Sequence, residues 1–366
     1  MKTLRLSLLL LLSPTVLLAL GQAPLPQCTD SLALHADSLT HCNDSLARRM
    51  ATLGHRLDSV INASSLSKTA QVGVMVWDLQ TDSCLYSRGA TTVVRPASAM
   101  KLLTAVAALQ AMGDSAMVAA DSTDNKLVAD FSMKDTVALG EGWCWDDDNP
   151  QLNVLDTTLC PHPLAWLLKP MLKASHNLAA EAVFYTLAAW QAKARTAEAN
   201  ARQKKGKARQ KAGKVAEEKP VGSRQAQRSV EMFIRSLKDS TPWLQLESDG
   251  VPLYRVADGS GLSLYNYVTP QLLVACLRYA WRSDSIRTTL CQSLPIAGVD
   301  GTLEDRMKAS PVAGQVLAKT GTLSGVSSLA GYWMGRPLAF CIVVNGTMRQ
   351  RPARDLQDRL CLEFGR

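Results

Sequence analysis

The stretch Arg95-Pro96-Ala97-Ser98-Ala99-Met100-Lys101 constrains the fold more than any other part of the chain. Pro96 suits a helix start, because its missing N–H falls where an N–H would lack a partner anyway. Leu102, Ala105, Val106 and Leu109 then recur at helical spacing, and Gly113 marks the end. The pattern predicts a buried helix with Ser98 in its first turn. Residues three apart on a helix share a face, with Cβ atoms about 5 to 6 Å apart, so the Lys101 amine reaches the Ser98 hydroxyl. Any fold that buries this helix places a nucleophile next to its own base.

A serine alcohol attacks a carbonyl only if something takes its proton, and a lysine does so only when neutral. With a reference pKa of about 10.4, an unperturbed lysine is neutral roughly once in a few thousand molecules at pH 7. The site must lower that value. Burial beside Met100 and Leu102 disfavours the charged form, and Lys319 is the candidate for a second cation that adds repulsion. Two coupled amines titrate as a pair.

Alone, a serine three residues before a lysine is a weak signal. Here it is followed by Ser175-His176-Asn177 and Lys319-Thr320-Gly321-Thr322, and the three elements in that order are the combination found in β-lactamases and penicillin-binding proteins. Two further blocks, Asp258-Gly259-Ser260-Gly261-Leu262-Ser263 with Tyr265-Asn266, and Leu294 to Leu303, complete the pattern. From about residue 68 to its end the chain resembles the class C low-molecular-mass penicillin-binding proteins, the D-alanyl-D-alanine carboxypeptidases and endopeptidases of the penicillin-binding protein 4 type.

That resemblance implies an α/β fold of the β-lactamase/DD-peptidase (transpeptidase-like) kind, with an antiparallel sheet flanked by helices plus a helical subdomain. It implies Ser98 as nucleophile, Lys101 as general base, Ser175 as proton relay and Asn177 orienting Lys101 and the substrate amide. Lys319, Thr320, Gly321 and Thr322 would bind the substrate and its carboxylate, and the N–H groups of Ser98 and Thr322 would form an oxyanion hole. Peptidoglycan stem peptides are the implied substrates and β-lactams the implied covalent inhibitors. No cofactor or metal is expected. His176 stands where many relatives carry aspartate; it is expected to point away from the chemistry, although a nearby histidine could add pH dependence near neutrality. The alternatives are a β-lactamase or esterase on the same scaffold, against which stands the lack of an E-x-x-L-N stretch, or a silent wall-binding protein, which would be expected to have lost one of these side chains.

At the chain's start, Lys2 and Arg5 precede an apolar run from Leu6 to Leu20 and then small residues at Gly21 and Ala23. Residues 1–23 read as a secretory signal peptide, too short in apolar length to span a membrane. The expected location is periplasmic or otherwise extracytoplasmic, with no transmembrane anchor after cleavage. Nine cysteines then permit disulfides, and the odd count leaves a thiol over. Cys341, in an apolar strand-like run, is expected as a buried thiol, and Cys144 with Cys160 is the candidate bridge. Within a helical segment over 24–67, Leu32, Leu39, Leu46, Leu53 and Val60 recur every seven residues, the mark of a helix burying one narrow seam, either on the catalytic body or in a short coiled coil.

Val72 to Gln80 and Cys84 to Gly89 read as a hairpin turning at Thr81-Asp82-Ser83. Pro270 to Arg282 and Arg351 to Phe364 read as helices, and Val316 to Leu323, Val326 to Met334 and Leu338 to Val344 as strands. Early and late strands imply a discontinuous catalytic body, 68–113 with 250–366, and a helical subdomain over 114–249. The acidic run Asp146-Asp147-Asp148-Asn149 lacks the spacing of a calcium loop and reads as solvated.

Two features depart from the family pattern. Only 73 residues separate Lys101 from Ser175, an interval in which typical relatives insert extra domains. The stretch 191–230 holds twelve Lys or Arg against three Glu, a net of +9, while the whole chain carries +8. The basic balance therefore belongs to this insert and not to the fold. Its composition predicts an exposed helix or disorder, and without interleaved aromatics in an exported chain it does not suggest nucleic acid.

Overall fold

The computed structural model describes residues 52–118, 162–206 and 221–366, together with the backbone of four short strands between 128 and 154. The leader, the leucines at 32, 39 and 46, the Cys144–Cys160 pair and the side chains of 146–149 lie outside the described residues.

Helix α1 (52–63) and α2 (Leu66–Thr69) lead into the hairpin β1 (Gln71–Asp78) and β2 (Ser83–Arg88). Leu53, Leu57, Val60 and Ile61 of α1 are buried, which continues the seven-residue seam as one apolar stripe. Asp58 accepts from the Tyr86 hydroxyl at 2.6 Å and fastens α1 to β2. In this part, the helix lies on the body.

A 3-10 turn, Ala97–Ala99, precedes α3 (Met100–Met112). Ser98 thus sits in a tighter turn ahead of the α-helix, whereas the sequence pattern put it in the first α-turn. The cause is Ala97, whose φ of +49° lies in the left-handed region that a regular helix start does not visit. Every residue of α3 from Met100 to Leu109 is buried, as expected of a helix that is apolar on nearly all sides. Lys101 and Thr104 are the polar side chains within that span.

Short strand pairs follow, β3 (Met117–Val118) with β8 (His162–Pro163), β4 (Val128–Phe131) with β5 (Asp135–Ala138), and β6 (Trp143–Asp146) with β7 (Asn149–Val154). In the first part of the interval expected to be helical, the described residues from 117 to 163 form strand pairs. Helices resume with α4 (Leu164–Lys173), α5 (Asn177–Gly206) and α6 (Ser223–Ser240). The basic insert begins as the exposed continuation of α5, with residues 193–198 in solvent.

The minor pair β9 (Glu247–Ser248) and β10 (Val251–Pro252) precedes α7 (Pro270–Trp281) and α8 (Asp284–Ser293). Pro270 opens α7, and the Thr269 hydroxyl accepts from Leu272 N–H at 3.2 Å, a side-chain cap on an otherwise orphan donor. The chain ends with β11 (Val316–Leu323), β12 (Val326–Trp333), β13 (Leu338–Asn345) and α9 (Gln350–Phe364). These match the sequence-derived limits closely, because turn residues such as Gly325, at φ +75°, mark the boundaries.

One antiparallel sheet in the order β11-β12-β13-β1-β2 joins the two ends of the chain. Its middle strands are buried along nearly their whole length, since α7 covers one face and α9 contacts β12. Sheets covered on both faces read as continuous apolar runs, which is why Leu338 to Val344 does not alternate. The Tyr332 hydroxyl, buried in the sheet, donates to the Leu277 carbonyl of α7 at 2.7 Å. Strand β11 is an edge, and α3 begins beside it.

Candidate active site

Lys101 is fully buried, and its Nζ lies 2.9 Å from Ser98 Oγ, 2.8 Å from Asn177 Oδ1 and 2.7 Å from the Ser260 carbonyl. Three acceptors suit an ammonium group. When one proton leaves, the two remaining N–H bonds stay on the amide and the carbonyl, which only accept, and the lone pair faces the Ser98 hydroxyl. In its neutral form the amine is thus oriented to accept a proton from that hydroxyl.

Electrostatics moves the amine the same way. Burial lowers the Lys101 pKa to about 8, against partial opposition from the charges of Asp258 and Glu181. Lys319 is buried too and is held well below the usual lysine range, first by burial and then by Lys101. The repulsion expected between the amines thus falls on Lys319, while burial is what lowers Lys101.

The loop 258–266 is pinned from three sides. Asp258 accepts from the N–H of Gly261 and of Ser263, both at 2.6 Å, and from Asn266 Nδ2 at 2.8 Å. Thr104 Oγ1 donates to the Gly259 carbonyl at 2.8 Å. Glu181 Oε1 accepts from the N–H of Gly259 at 3.1 Å and of Ser260 at 2.8 Å. Gly261, at φ +82°, has no room for a side chain, because a Cβ would come within 1.9 Å of the Ala97 carbonyl oxygen. The aspartate block of the sequence is therefore a device that aims one carbonyl at Lys101.

A cleft of about 490 Å³ opens in front of the serine, lined by Ser98, Ser175, Thr302, Thr320, Gly321 and Thr322 among others. Ser175, at φ +60°, is held in the left-handed region just before α5, so both Ser98 and the Ser175 stretch adjoin strained backbone of the kind found at functional sites. His176 does not line the cleft. Its Nδ1 accepts from Ala179 N–H at 3.2 Å and caps α5, and burial together with Lys101 lowers its pKa.

Lys319 Nζ donates to the Thr320 carbonyl at 2.9 Å and is not part of the cleft wall. The cations on that wall are Arg306, whose guanidinium is taken up by Asp358 and Gln357, and Arg354. Thr320 Oγ1 lies 2.7 Å from Thr302 Oγ1. Gly321 lies against the turn that carries Ser98. A Cβ there would lie 2.2 Å from Ser328 Oγ, 2.7 Å from the Pro96 carbonyl and 3.0 Å from Ser98 N, so the missing side chain admits the serine turn itself. Among the described residues no cluster of His, Cys, Asp or Glu is arranged to hold a metal. The cysteines described, Cys84, Cys276, Cys291, Cys341 and Cys361, are all free thiols.

Sequence reasoning missed Glu181, Thr302 and Arg354. Glu181 had a signal, since it stands four residues after Asn177, one helical turn on, in the otherwise apolar Leu178 to Phe184.

A serine hydrogen-bonded to a buried lysine at the start of a central helix, beside the edge of a five-stranded antiparallel sheet, defines the β-lactamase/DD-peptidase fold. Similar curated proteins include the D-alanyl-D-alanine carboxypeptidase DacB of Haemophilus influenzae, 41% identical over 96 residues, and a D-alanyl-D-alanine carboxypeptidase of Actinomadura sp. strain R39, 48% identical over 114 residues. These matches cover 25% and 29% of this chain but only 20% and 21% of those proteins, so the chain aligns with about a fifth of their length. The sequence profile of the D-Ala-D-Ala carboxypeptidase 3 (S13) family matches residues 53–121 and 244–362, and the chain belongs to that family. In three dimensions it is similar to penicillin-binding protein 4 (dacB) of Haemophilus influenzae, with a TM-score of 0.59, 18% identity, and coverage of 85% of this chain and 99% of that one. The same protein is also known complexed with a β-lactam. The family match leaves out 122–243, where Ser175 and Asn177 lie; their place in the site rests on the geometry, the 2.8 Å contact to Lys101 above all.

Proposed function

We propose that this protein is a serine D-Ala-D-Ala peptidase, a carboxypeptidase or endopeptidase, that acts outside the cytoplasm on peptidoglycan stem peptides and is acylated by β-lactams. The observation that carries this reading is the Lys101 amine, buried, held on Asn177 and the Ser260 carbonyl, and directed at Ser98 Oγ. No helix of the described residues is long and apolar enough to cross a membrane.

Ser98 Oγ bonds to the substrate carbonyl carbon as its proton passes to Lys101 Nζ. The oxyanion is met by the N–H groups of Ser98 and Thr322, each donor worth roughly 3 to 4 kcal/mol in the transition state. The carbon–nitrogen bond then breaks, and the departing amine takes the proton held by Lys101 through Ser175. Water attacks the acyl-enzyme, gives a proton back through Lys101 to Ser98 Oγ, and releases the acid. Thr320 and Thr322 offer hydroxyls to the substrate carboxylate, and Arg354 gives the cleft a positive wall. Lys319, turned inward on the Thr320 carbonyl, acts in this reading by shaping that strand.

The test is to incubate the protein and Ser98→Ala with purified muropeptides and with a fluorescent penicillin. Free D-Ala indicates a carboxypeptidase and falling dimers an endopeptidase, both with a penicillin label on Ser98 that the variant lacks. Rapid penicillin turnover without peptide cleavage refutes this function in favour of a β-lactamase.

A further inference from the structure

Helix α5 controls two of the three acceptors around Lys101. Asn177 reaches the amine directly. Four residues on, and so on the same helical face, Glu181 holds the Gly259 and Ser260 amides, and the Ser260 carbonyl is the acceptor at 2.7 Å. Glu181 is buried, and a carboxylate out of water is costly unless it repays that cost through charge-assisted hydrogen bonds. Its backbone contacts go to the two amides that fix this carbonyl. Burial and then Asp258 raise its pKa to about 7, while hydrogen bonds from the Ser260 side chain and from the two amides favour the charged form. An uncharged side chain would fill the same space more cheaply.

We propose that Glu181 is a positioning residue for the base, holding the 259–260 backbone so that the Ser260 carbonyl faces Lys101 Nζ and its lone pair faces Ser98. Glu181 itself does not reach the substrate. Its negative charge also acts on Lys101, together with Asp258 from the loop, while Lys319 on β11 and His176 at the head of α5 are the other titratable groups around that amine. The inference rests on the reading of Ser98 as the nucleophile.

Two variants of the full chain test it, each followed by the rate of acylation with a fluorescent penicillin between pH 5.5 and 9.5 and by thermal melting. Glu181→Ala frees the two amides. The Ser260 carbonyl is then no longer aimed, and acylation should fall by about a hundredfold, the scale of a 1 Å misplacement. Glu181→Gln keeps an oxygen acceptor for both amides but removes the charge. It should retain much more of the rate, and the acid limb of its pH profile should move to lower pH, because the lost charge was holding the proton on Lys101.

An unmoved acid limb in Glu181→Gln, or Glu181→Ala acylated within threefold of wild type, overturns the proposal. So does a lower melting temperature with rate and limb unchanged, which assigns Glu181 to folding alone. If Glu181→Ala does not fold, the limb of Glu181→Gln decides. If the unaltered protein takes no label on Ser98, the proposed function fails and this inference falls with it, whereas a labelled wild type with indifferent variants refutes the inference alone.

Discussion

The reactivity of this site should follow the proton on Lys101. With a pKa of about 8, roughly one molecule in eleven carries the neutral amine at pH 7, against about one in a few thousand for an ordinary lysine. That difference corresponds to about 3 kcal/mol of preference for the neutral form, supplied by burial. The sign follows directly. The base works deprotonated, so the acylation rate should rise with pH, fall about fiftyfold between pH 8 and pH 6, and level off above about 8.5. Lys101→Arg keeps a cation of similar reach but one that does not deprotonate in a protein, and so removes the base while leaving hydrogen bonds to Asn177 and Ser260 in reach. Acylation should drop by 10² to 10⁴, the usual contribution of a general base, at every pH. Stopped-flow fluorescence with a labelled penicillin measures both. A flat wild-type profile between pH 6 and 8, or an arginine variant within tenfold of wild type, would refute the assignment of Lys101 as base.

Other outcomes follow from the packing. Gly321→Ala drives a methyl group against the Pro96 carbonyl and Ser98 N; it should cost about 1 to 3 kcal/mol in chemical denaturation and slow acylation far more than that loss explains, by about a hundredfold. Asp82 turns the first hairpin and pairs with the buried guanidinium of Arg278 at 2.5 and 2.6 Å, hydrogen bonds that, with help from Trp77, hold its carboxyl near 2. The folded value lies below the unfolded one, so its contribution is present above about pH 4 and is lost as pH falls toward 2; for a carboxylate this open to solvent it is about 1 kcal/mol. Asp82→Asn, which tolerates the same left-handed backbone, should lose that increment at pH 7 and show a flatter stability between pH 4 and 2, as followed by denaturant titration. Gly261→Ala should be the most damaging glycine change at the site, with acylation below detection and a lowered melting temperature, because the added atom meets backbone rather than a movable side chain.

Local rules carried the elements of this fold. The periodicity after Ser98, the proline and threonine that open α7, and the glycines between the last strands are effects of a few adjacent residues, and so are legible in the chain. The pairing of Ser98 with Lys101 is local too, three residues apart on one turn. The short strands between 117 and 163 were not legible, since two- to six-residue strands give too little periodicity to read.

The chain's order of residues was enough to mark the candidate groups, because each motif is a run of covalent neighbours. What it left open was where they point. Lys319 turned inward onto Thr320, Gly321 made room for the Pro96 to Ser98 turn, and Glu181 came to rest on the amides of a loop 78 residues away. Those outcomes depend on which surfaces of α3, α5, β11 and the 258–266 loop meet. Such meetings are decided by the packing of the whole core around one buried amine, a property that no short stretch of sequence holds by itself.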